Sequence, residues 1–245
     1  MNTKIFNFFL ENLKDSFKLP KYKEINDEMN KETIVESLPW TPARFEKFKV
    51  TLSKEFGLNN ISYAGSIEDI VEDIDEKYNE HFWGQGVWQP RTDQYQYTGW
   101  GLVDEIMKHT PKSVLDVGCG YNQFKPRIPN LVGIDKYNNS ADFMVDILDY
   151  NVEPETYDAV IVLGSINFGS YEDVSSRFKK VFELTAPGGR IYVRANPGQS
   201  HKNGPYIEIY PWDFDSVYRI AKDHNINLIT LKKDNGNRLF FVFEK

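Results

Sequence analysis

The sequence predicts an α/β fold: a seven-stranded, mostly parallel sheet with an antiparallel last strand, preceded by a helical N-terminal region. Short apolar runs alternate with helical patterns between residues 113 and 231, which is typical of β-α-β units. A glycine turn, Gly118-Cys119-Gly120, follows the first of these runs directly. The D-N-G-N stretch from Asp234 to Asn237 separates the last two runs and predicts a closing hairpin.

The apolar runs are short enough to be buried strands. We expect strands at residues 113–117, 131–134, 143–145, 159–163, 190–194, 228–231 and 239–243, and helices at 101–109, 173–185 and 214–224. Pro126 and Pro129 interrupt the connection between the first two strands, so any helix there must be short. The connection from the second strand to the third leaves almost no room for a helix.

The residues before the sheet predict helices at 3–17, 24–37, 42–57 and 66–82. Thr41-Pro42 is typical of a helix start and Gly57 of a helix end, while Ser66 and Asp69 predict a capping box. The acidic run along the last helix is interpreted as a solvated face, because its spacing matches no oxygen-ligand loop for a metal. We expect two parts, 1–98 and 99–245.

Charge and cysteine content limit the function classes. The net charge is −7 and neither part of the chain is basic, which disfavours duplex DNA as a partner. The single cysteine, Cys119, cannot form an intramolecular disulfide, and no nearby histidine activates it as a nucleophile. No signal peptide or membrane span is expected, so a cytoplasmic protein is predicted. The abundance of Asn, Lys and Ile is typical of an AT-rich genome, for example a viral one.

The first two strands carry the pattern of a nucleoside site. Gly118 and Gly120 allow a ligand to approach the backbone after the first strand, and Asp135 follows the second strand, where a carboxylate can accept both ribose hydroxyls. A dinucleotide fingerprint needs a third glycine where this chain has Gln123, so that class of cofactor is not supported.

The run D-V-G-C-G, Asp116 to Gly120, resembles the first motif of the class I S-adenosylmethionine (SAM)-dependent methyltransferases. The resemblance extends from Gly99 to the C-terminus and implies a Rossmann-like sheet, SAM as cofactor and methyl transfer. The final hairpin also matches this family. Asn122 replaces a glycine that is common in the motif, but Asn tolerates left-handed backbone geometry.

The resemblance implies roles for several cofactor-side residues. Asp116 would lie near the methionine amine, with Asp135 on the ribose hydroxyls, past the end of its strand and outside the core. Asp146 would bind the adenine amino group, with Ile147 against the ring; its alternative is a cap or loop aspartate. The expected cofactor contacts are Tyr97, Asp116, Gly118, Cys119, Gly120, Asp135, Asp146, Ile147, Leu163 and Gly164.

Residues 83–100 are dense in glycine, proline and aromatic residues. In the resembled family such a segment often folds over cofactor and acceptor as a lid, and Tyr97 carries a hydroxyl that could meet the methionine carboxylate. The alternative is a packed connector between the helical part and the sheet. Both roles are compatible with the sequence.

The acceptor side is less defined. Asn167, Arg194, Asn196, His201 and Tyr206 follow the fourth and fifth strands, and His201 is either a general base or an exposed loop histidine. The Asn-Pro-Pro-Tyr type of motif for amino methylation of DNA bases is absent, and no cysteine is placed for cytosine C5 chemistry.

We therefore predict methyl transfer to an oxygen or nitrogen nucleophile of a small molecule or protein side chain. The alternative is a SAM-binding regulatory or assembly protein without transferase activity, whose helical N-terminal part binds a partner. RNA methylation is a third option, disfavoured by charge.

Overall fold

The computed structural model describes residues 1–16, 42–61, 66–84, 87–88, 100–199 and 204–245. The chain divides into two compact units, Met1–Phe82 and Trp83–Lys245. The helix predicted at 24–37, the predicted boundary after Thr98, and the candidate residues Tyr97 and His201 lie outside the described residues. Within the described ranges, no helix has the length and apolar character needed to cross a membrane.

The first unit is helical, as predicted. It contains α1 (Thr3–Ser16), α2 (Pro42–Phe56) and α3 (Ile67–Asn79). A π-helical stretch, Glu80–Gly84, continues from α3 and includes the first residues of the second unit. Ser66 and Asp69 form the predicted capping box at the start of α3, and Gly57 ends α2 with a φ of +70°. The core side chains are Ile5, Phe9, Leu52, Phe56, Ile70, Val71, Ile74 and Tyr78.

The second unit begins with helix α4 (Trp100–Met107) and contains the predicted seven-stranded sheet. Its strands are β1 (Val114–Val117), β2 (Leu131–Asp135), β3 (Phe143–Met144), β4 (Tyr157–Leu163), β5 (Thr185–Ala195), β6 (Asn227–Lys233) and β7 (Leu239–Glu244). A 3₁₀ turn (Ile147–Asp149) follows β3, and helices α5 (Tyr171–Leu184) and α6 (Phe214–Asp223) precede β5 and β6.

The strand order is β3-β2-β1-β4-β5-β7-β6. All neighbouring strands from β3 to β5 are parallel, and β7 runs antiparallel to both β5 and β6. The chain order reverses between β1 and β4, which is where open α/β sheets bind their ligands, at the carboxyl ends of the strands.

Both faces of the central strands are covered, which explains why their sequences are continuous apolar runs. One face packs Leu115, Val160, Val193 and Phe241 against α5 and α6. The other packs Val114, Ile161, Tyr192 and Phe240 with residues of α4, such as Leu102 and Ile106.

The structure departs from the expected elements in two places. Residues 118–130, between β1 and β2, form turns and contain no helix, because Pro126 and Pro129 leave no uninterrupted run long enough for one. Strand β5 begins at Thr185, directly after α5, and includes Pro187, Gly188 and Gly189, although the strand was expected only from residue 190. A register shift between Tyr157 and Ala159 accommodates this early start.

Candidate cofactor-binding site

The glycine turn after β1 is fastened to the end of β2 by three consecutive backbone N–H groups. Gly118 and Cys119 both donate to the carbonyl of Ile134, at 2.8 and 3.0 Å. Gly120 donates to Asp135 Oδ2 at 3.0 Å. The turn is therefore held in one shape by the neighbouring strand, before any ligand is considered.

The turn uses left-handed backbone geometry at three positions. Gly118, Gly120 and Asn122 have φ values of +69°, +53° and +53°. The expectation that Asn122 could replace a glycine is confirmed, since asparagine adopts this conformation at low cost.

Glycine is also required here for close packing. A Cβ on Gly118 would lie 2.2 Å from Cβ of Ser165, which follows β4, and a Cβ on Gly120 would lie 3.0 Å from the ring of Trp88. Ser165 and Trp88 therefore both lie directly against the turn. The segment containing Trp88 reaches the site predicted for the cofactor.

Asp116, in β1, is a buried carboxylate beside the turn. It is 3% exposed. Burial, together with the nearby charge of Asp135, raises the pKa of Asp116 to about 7. No hydrogen bond to its carboxylate comes from the part of the chain that the structure describes, which is unusual for a buried polar group. A cation brought to this carboxylate would favour its charged form.

Asp135 is the last residue of β2, so the expectation that it lies past the strand end was wrong. Its Oδ2 accepts from Gly120 N, and its Oδ1 accepts from the N–H groups of Tyr137 and Asn138 at 2.8 and 2.9 Å. A carboxylate has about four acceptor positions, so about one remains, on Oδ2. Asp135 builds the site, and contact with both ribose hydroxyls stays a prediction.

Asp146 and Ile147 follow the edge strand β3. Asp146 Oδ1 accepts from Leu148 N at 3.0 Å, which caps the 3₁₀ turn, and Oδ2 lies 3.8 Å from the guanidinium of Arg177. The capping role considered as the alternative for Asp146 is present. Contact with adenine stays a prediction. Ile147 is buried and packs into the core.

Cys119 is buried beneath the turn. Burial, and then the charges of Asp116, Asp135 and Asp142, raise the pKa of its thiol far above the ordinary range. A thiol that does not ionise is a poor nucleophile. This agrees with the expectation that Cys119 is not a nucleophile, and its contact with the cofactor stays a prediction.

The last cofactor contacts expected from the sequence and the acceptor-side candidates lie at and beyond the end of β4. Leu163 ends β4 and Gly164 follows it with a φ of +86°. The side chain of Asn167 donates to the carbonyl of Gly164 at 2.9 Å and accepts from Asn196 N at 3.1 Å, which ties the end of β4 to the end of β5. Tyr206 is half-buried.

Arg194 is taken up by the closing hairpin. Its Nε donates to Asp234 Oδ2 at 2.6 Å, and both residues are buried. This ion pair accounts for Arg194 structurally. Its contact with an acceptor stays a prediction.

Several residues that support the candidate site were not predicted from the sequence. Asp142 accepts from Gly133 N at 2.9 Å and also contacts Asn122 and Lys125, so it connects β2 to the residues that follow the glycine turn. Burial opposes ionisation of Asp142, but these hydrogen bonds lower its pKa. A pattern of acids at the ends of β2 and β3 was visible in the sequence, but the partner of each acid was not.

An aromatic cluster, Trp83, Trp88, Tyr121 and Phe168, was also missed. Trp83 lies 5.4 Å from Phe168 and 5.5 Å from Trp88, centroid to centroid. Trp88 and Tyr121 are parallel within 5°, with their centroids 6.4 Å apart.

Within the described residues no group of three or more His, Cys, Asp and Glu side chains is placed to hold a metal ion.

The chain is similar to several solved structures of other proteins. The 1,6-didemethyltoxoflavin-N1-methyltransferase of Burkholderia thailandensis, with bound 1,6-didemethyltoxoflavin and S-adenosylhomocysteine (SAH), has a TM-score of 0.55 and 10% identity over 75% of this chain and 92% of its own. The PH0226 protein of Pyrococcus horikoshii has a TM-score of 0.47 and 17% identity, over 58% and 87%. The N-methyltransferase NodS of Bradyrhizobium japonicum has a TM-score of 0.46 and 12% identity, over 59% and 92%.

No family model and no curated protein matches the chain by sequence. The assignment therefore rests on architecture. The strand order, the antiparallel β7 and the likeness to the Burkholderia enzyme show that the second unit has the class I SAM-dependent methyltransferase fold.

Proposed function

We propose that the chain is a SAM-dependent methyltransferase that transfers a methyl group to an oxygen or nitrogen nucleophile of a small molecule or protein side chain. The fold supports the class, and the Burkholderia neighbour is an N-methyltransferase that binds SAH and a small molecule. Fold alone does not define an activity, so the proposal depends on the site.

The observation that carries the proposal is the state of Asp116. A buried carboxylate with no hydrogen bond from the described chain is costly, and such a group is usually explained by a missing partner. The methionine part of SAM carries an ammonium group, which is a cation of the right chemistry. The position of Asp116, in the strand that leads into the glycine turn, suits this contact.

The other contacts follow from the strand ends. Gly118 and Gly120 would pass beneath the methionine and ribose part, and the remaining acceptor position of Asp135 would take one ribose hydroxyl. Ile147 and Asp146 would contact the adenine. Leu163 and Gly164 would approach the methyl group. Bound SAM supplies a methyl group on a positively charged sulfonium, so the protein must align the acceptor and exclude water.

A SAM-binding protein without transferase activity is the competing function. Two observations favour it. The connections after β1 and β2 are short, so fewer residues are available to cover a cofactor. The described acceptor-side candidates include no general base, and Asn167 and Arg194 both make structural contacts. In that case the helical N-terminal unit would bind a partner.

Two measurements test the proposal. Calorimetry with SAM, SAH and NAD should show binding of the first two and none of NAD, because Gln123 stands where a dinucleotide site needs glycine. Incubation with methyl-labelled SAM and cell extract should then label a product. Binding of SAH without any labelled product would favour the non-catalytic function. Binding of NAD alone would overturn the cofactor assignment.

We also propose that residues 83–100 act as a lid. Trp88 lies against Gly120, and Gly84 lies against the loop after β2, where a Cβ would come within 2.6 Å of the Tyr137 carbonyl. Tryptic cleavage after Arg91 should therefore slow markedly when SAH is added, and removal of residues 1–98 should leave SAM binding weak or absent. A Trp88→Ala variant should lose this protection. Equal cleavage rates with and without saturating SAH would identify the segment as a connector.

A further inference from the structure

The aromatic cluster is assembled from three separate parts of the sequence. Trp83 and Trp88 precede α4, Tyr121 lies in the glycine turn, and Phe168 follows β4. All four rings are partly exposed to solvent, and Tyr121 is 38% exposed. Aromatic rings of this size are usually buried more fully, and a surface group of them commonly marks a binding site.

The cluster is adjacent to the place where the methyl donor is proposed to bind. Trp88 contacts Gly120, and Tyr121 is the next residue in the turn. Ser165, three residues before Phe168, packs against Gly118. The rings of the aromatic cluster and the hydroxyl of Ser165 therefore lie around the glycine turn, on the side of the sheet where β4 ends.

The hydroxyl of Ser165 lacks a partner. Its Oγ is buried and has no hydrogen bond within the described residues. A buried hydroxyl without a partner is uncommon, and at a binding site it is a candidate contact for a polar ligand atom. The site therefore combines an apolar aromatic surface with one hydrogen-bonding group.

The ring geometry favours a flat ligand over a small cation. Centroid distances of 5.4 and 5.5 Å mean that Trp83 directly contacts both Phe168 and Trp88, so no cation-sized space lies between these rings. Trp88 and Tyr121 instead stack on each other, and the partly exposed ring of Tyr121 offers a flat face to another ring. A saturated chain or a peptide gains less from such a surface.

We propose that the aromatic cluster and Ser165 form the acceptor subsite, and that the acceptor is a flat aromatic or heteroaromatic small molecule with a ring-borne nitrogen or oxygen nucleophile; this rests on the proposed methyltransferase function. The nucleophile's lone pair forms the bond to the methyl carbon, and the electrons of the breaking carbon–sulfur bond return to sulfur, which becomes neutral. The N–H or O–H proton of the acceptor passes to water.

The test measures binding of matched probes to the SAH-loaded full chain. Benzimidazole and naphthol are the flat probes, and their fully hydrogenated counterparts are the controls. The flat probes should bind more tightly, and Tyr121→Leu and Phe168→Leu should each weaken them about three- to tenfold, as expected for loss of a stacking ring. Phe143→Leu, at an exposed ring on edge strand β3, is the matched control and should change nothing.

Ser165→Ala gives a second, independent readout. It should weaken the flat probes about two- to tenfold, the range for one neutral hydrogen bond, without lowering the melting temperature, because the hydroxyl has no partner to lose. Labelled SAM should methylate at least one flat probe.

Several results would overturn the inference while leaving the methyltransferase proposal intact: SAH binds but neither flat probe does, the hydrogenated probes bind equally well, or the ring variants match wild type. Failure to bind SAH at all would instead remove the proposed function, and the acceptor assignment with it, even if flat probes still bound.

Discussion

Two buried aspartates, one in the interior strand β1 and one in the hairpin between β6 and β7, meet different environments. Asp234, at the closing hairpin, accepts from Arg194 Nε at 2.6 Å and from the N–H groups of Gly236 and Arg238 at 2.7 and 3.0 Å. Asp116, in β1, has no such contact from the described chain. One charge is satisfied by the protein, and the other is not.

This difference distinguishes an aspartate with a structural role, Asp234, from a candidate ligand-binding aspartate, Asp116. A buried carboxylate that the chain itself neutralises contributes to the hairpin and needs nothing from outside. A buried carboxylate that the chain leaves without a partner is tolerated only if another gain offsets its cost, and binding of a cationic ligand is such a gain. The two aspartates should therefore respond oppositely to substitution.

The largest effect is expected at the hairpin. Asp234→Ala leaves the Arg194 guanidinium buried without its carboxylate, which should lower the free energy of unfolding by about 3–5 kcal/mol. Chemical denaturation measures this directly. Asp215→Ala, which removes an exposed carboxylate in α6, is the control. A loss at Asp234 no greater than the control would show that the ion pair is not structural.

Asp116→Asn should weaken SAH binding without lowering the stability of the free protein. The substitution removes the charge but keeps the shape, so SAH should bind about 10- to 100-fold more weakly if a charge-assisted hydrogen bond is lost. The free protein should be as stable as wild type at pH 8, or more so, because the variant no longer buries a charge there. Calorimetry and thermal unfolding check the two halves. Unchanged SAH affinity would remove the observation on which the cofactor assignment depends.

Asp135→Ala should lower both the stability of the protein and its affinity for SAH. Three backbone N–H groups lose their acceptor, so the free energy of unfolding should fall by about 1–3 kcal/mol, although the sequence placed Asp135 outside the core. Loss of a ribose contact should also weaken SAH binding about tenfold. Asp135→Asn is the matched variant, since it keeps part of the acceptor set. Weaker stability with unchanged SAH affinity would make Asp135 purely structural.

Stability and SAH binding should also depend on pH through Asp116. The pKa of Asp116 is 3.8 in its reference state and about 7 in the fold, so the folded protein holds this proton more tightly. Its contribution to stability is therefore fully present below about pH 4 and is lost as the pH rises towards 7. SAH binding needs the charged form and should follow the reverse order, weakening by up to about tenfold per pH unit below pH 7. Calorimetry from pH 5 to 8 measures this. Asp116→Asn should remove the dependence, and an equal slope in the variant would assign it to another group.

Much of the sheet could be predicted because its signals are local. Buried strands are short apolar runs, and the glycine turn, the D-N-G-N hairpin and the Ser66 capping box each depend on a few adjacent residues. The errors occurred where neighbouring segments decide the outcome. The early start of β5 depends on pairing with β4 across a register shift, which overrides the local loop signal of Pro187 and Gly188.

The site was predictable as a location but less so as a set of contacts. The sequence identified Asp116, the glycines and Asp135, because each follows from its position at a strand end. It did not show that Asp135 is largely occupied by backbone groups, or that Arg194 pairs with Asp234. It also did not show that Trp88 and Ser165 meet at the same turn. These depend on contacts between residues far apart in sequence.

Cys119 has a further consequence for experiments. It is the single cysteine in the sequence and lies buried beneath the glycine turn, with a thiol that does not ionise at ordinary pH. Any alkylation of the protein by a thiol reagent must therefore report the rare moments when this turn opens. The rate at which Cys119 is alkylated therefore measures how often the glycine turn opens, without the introduction of any label.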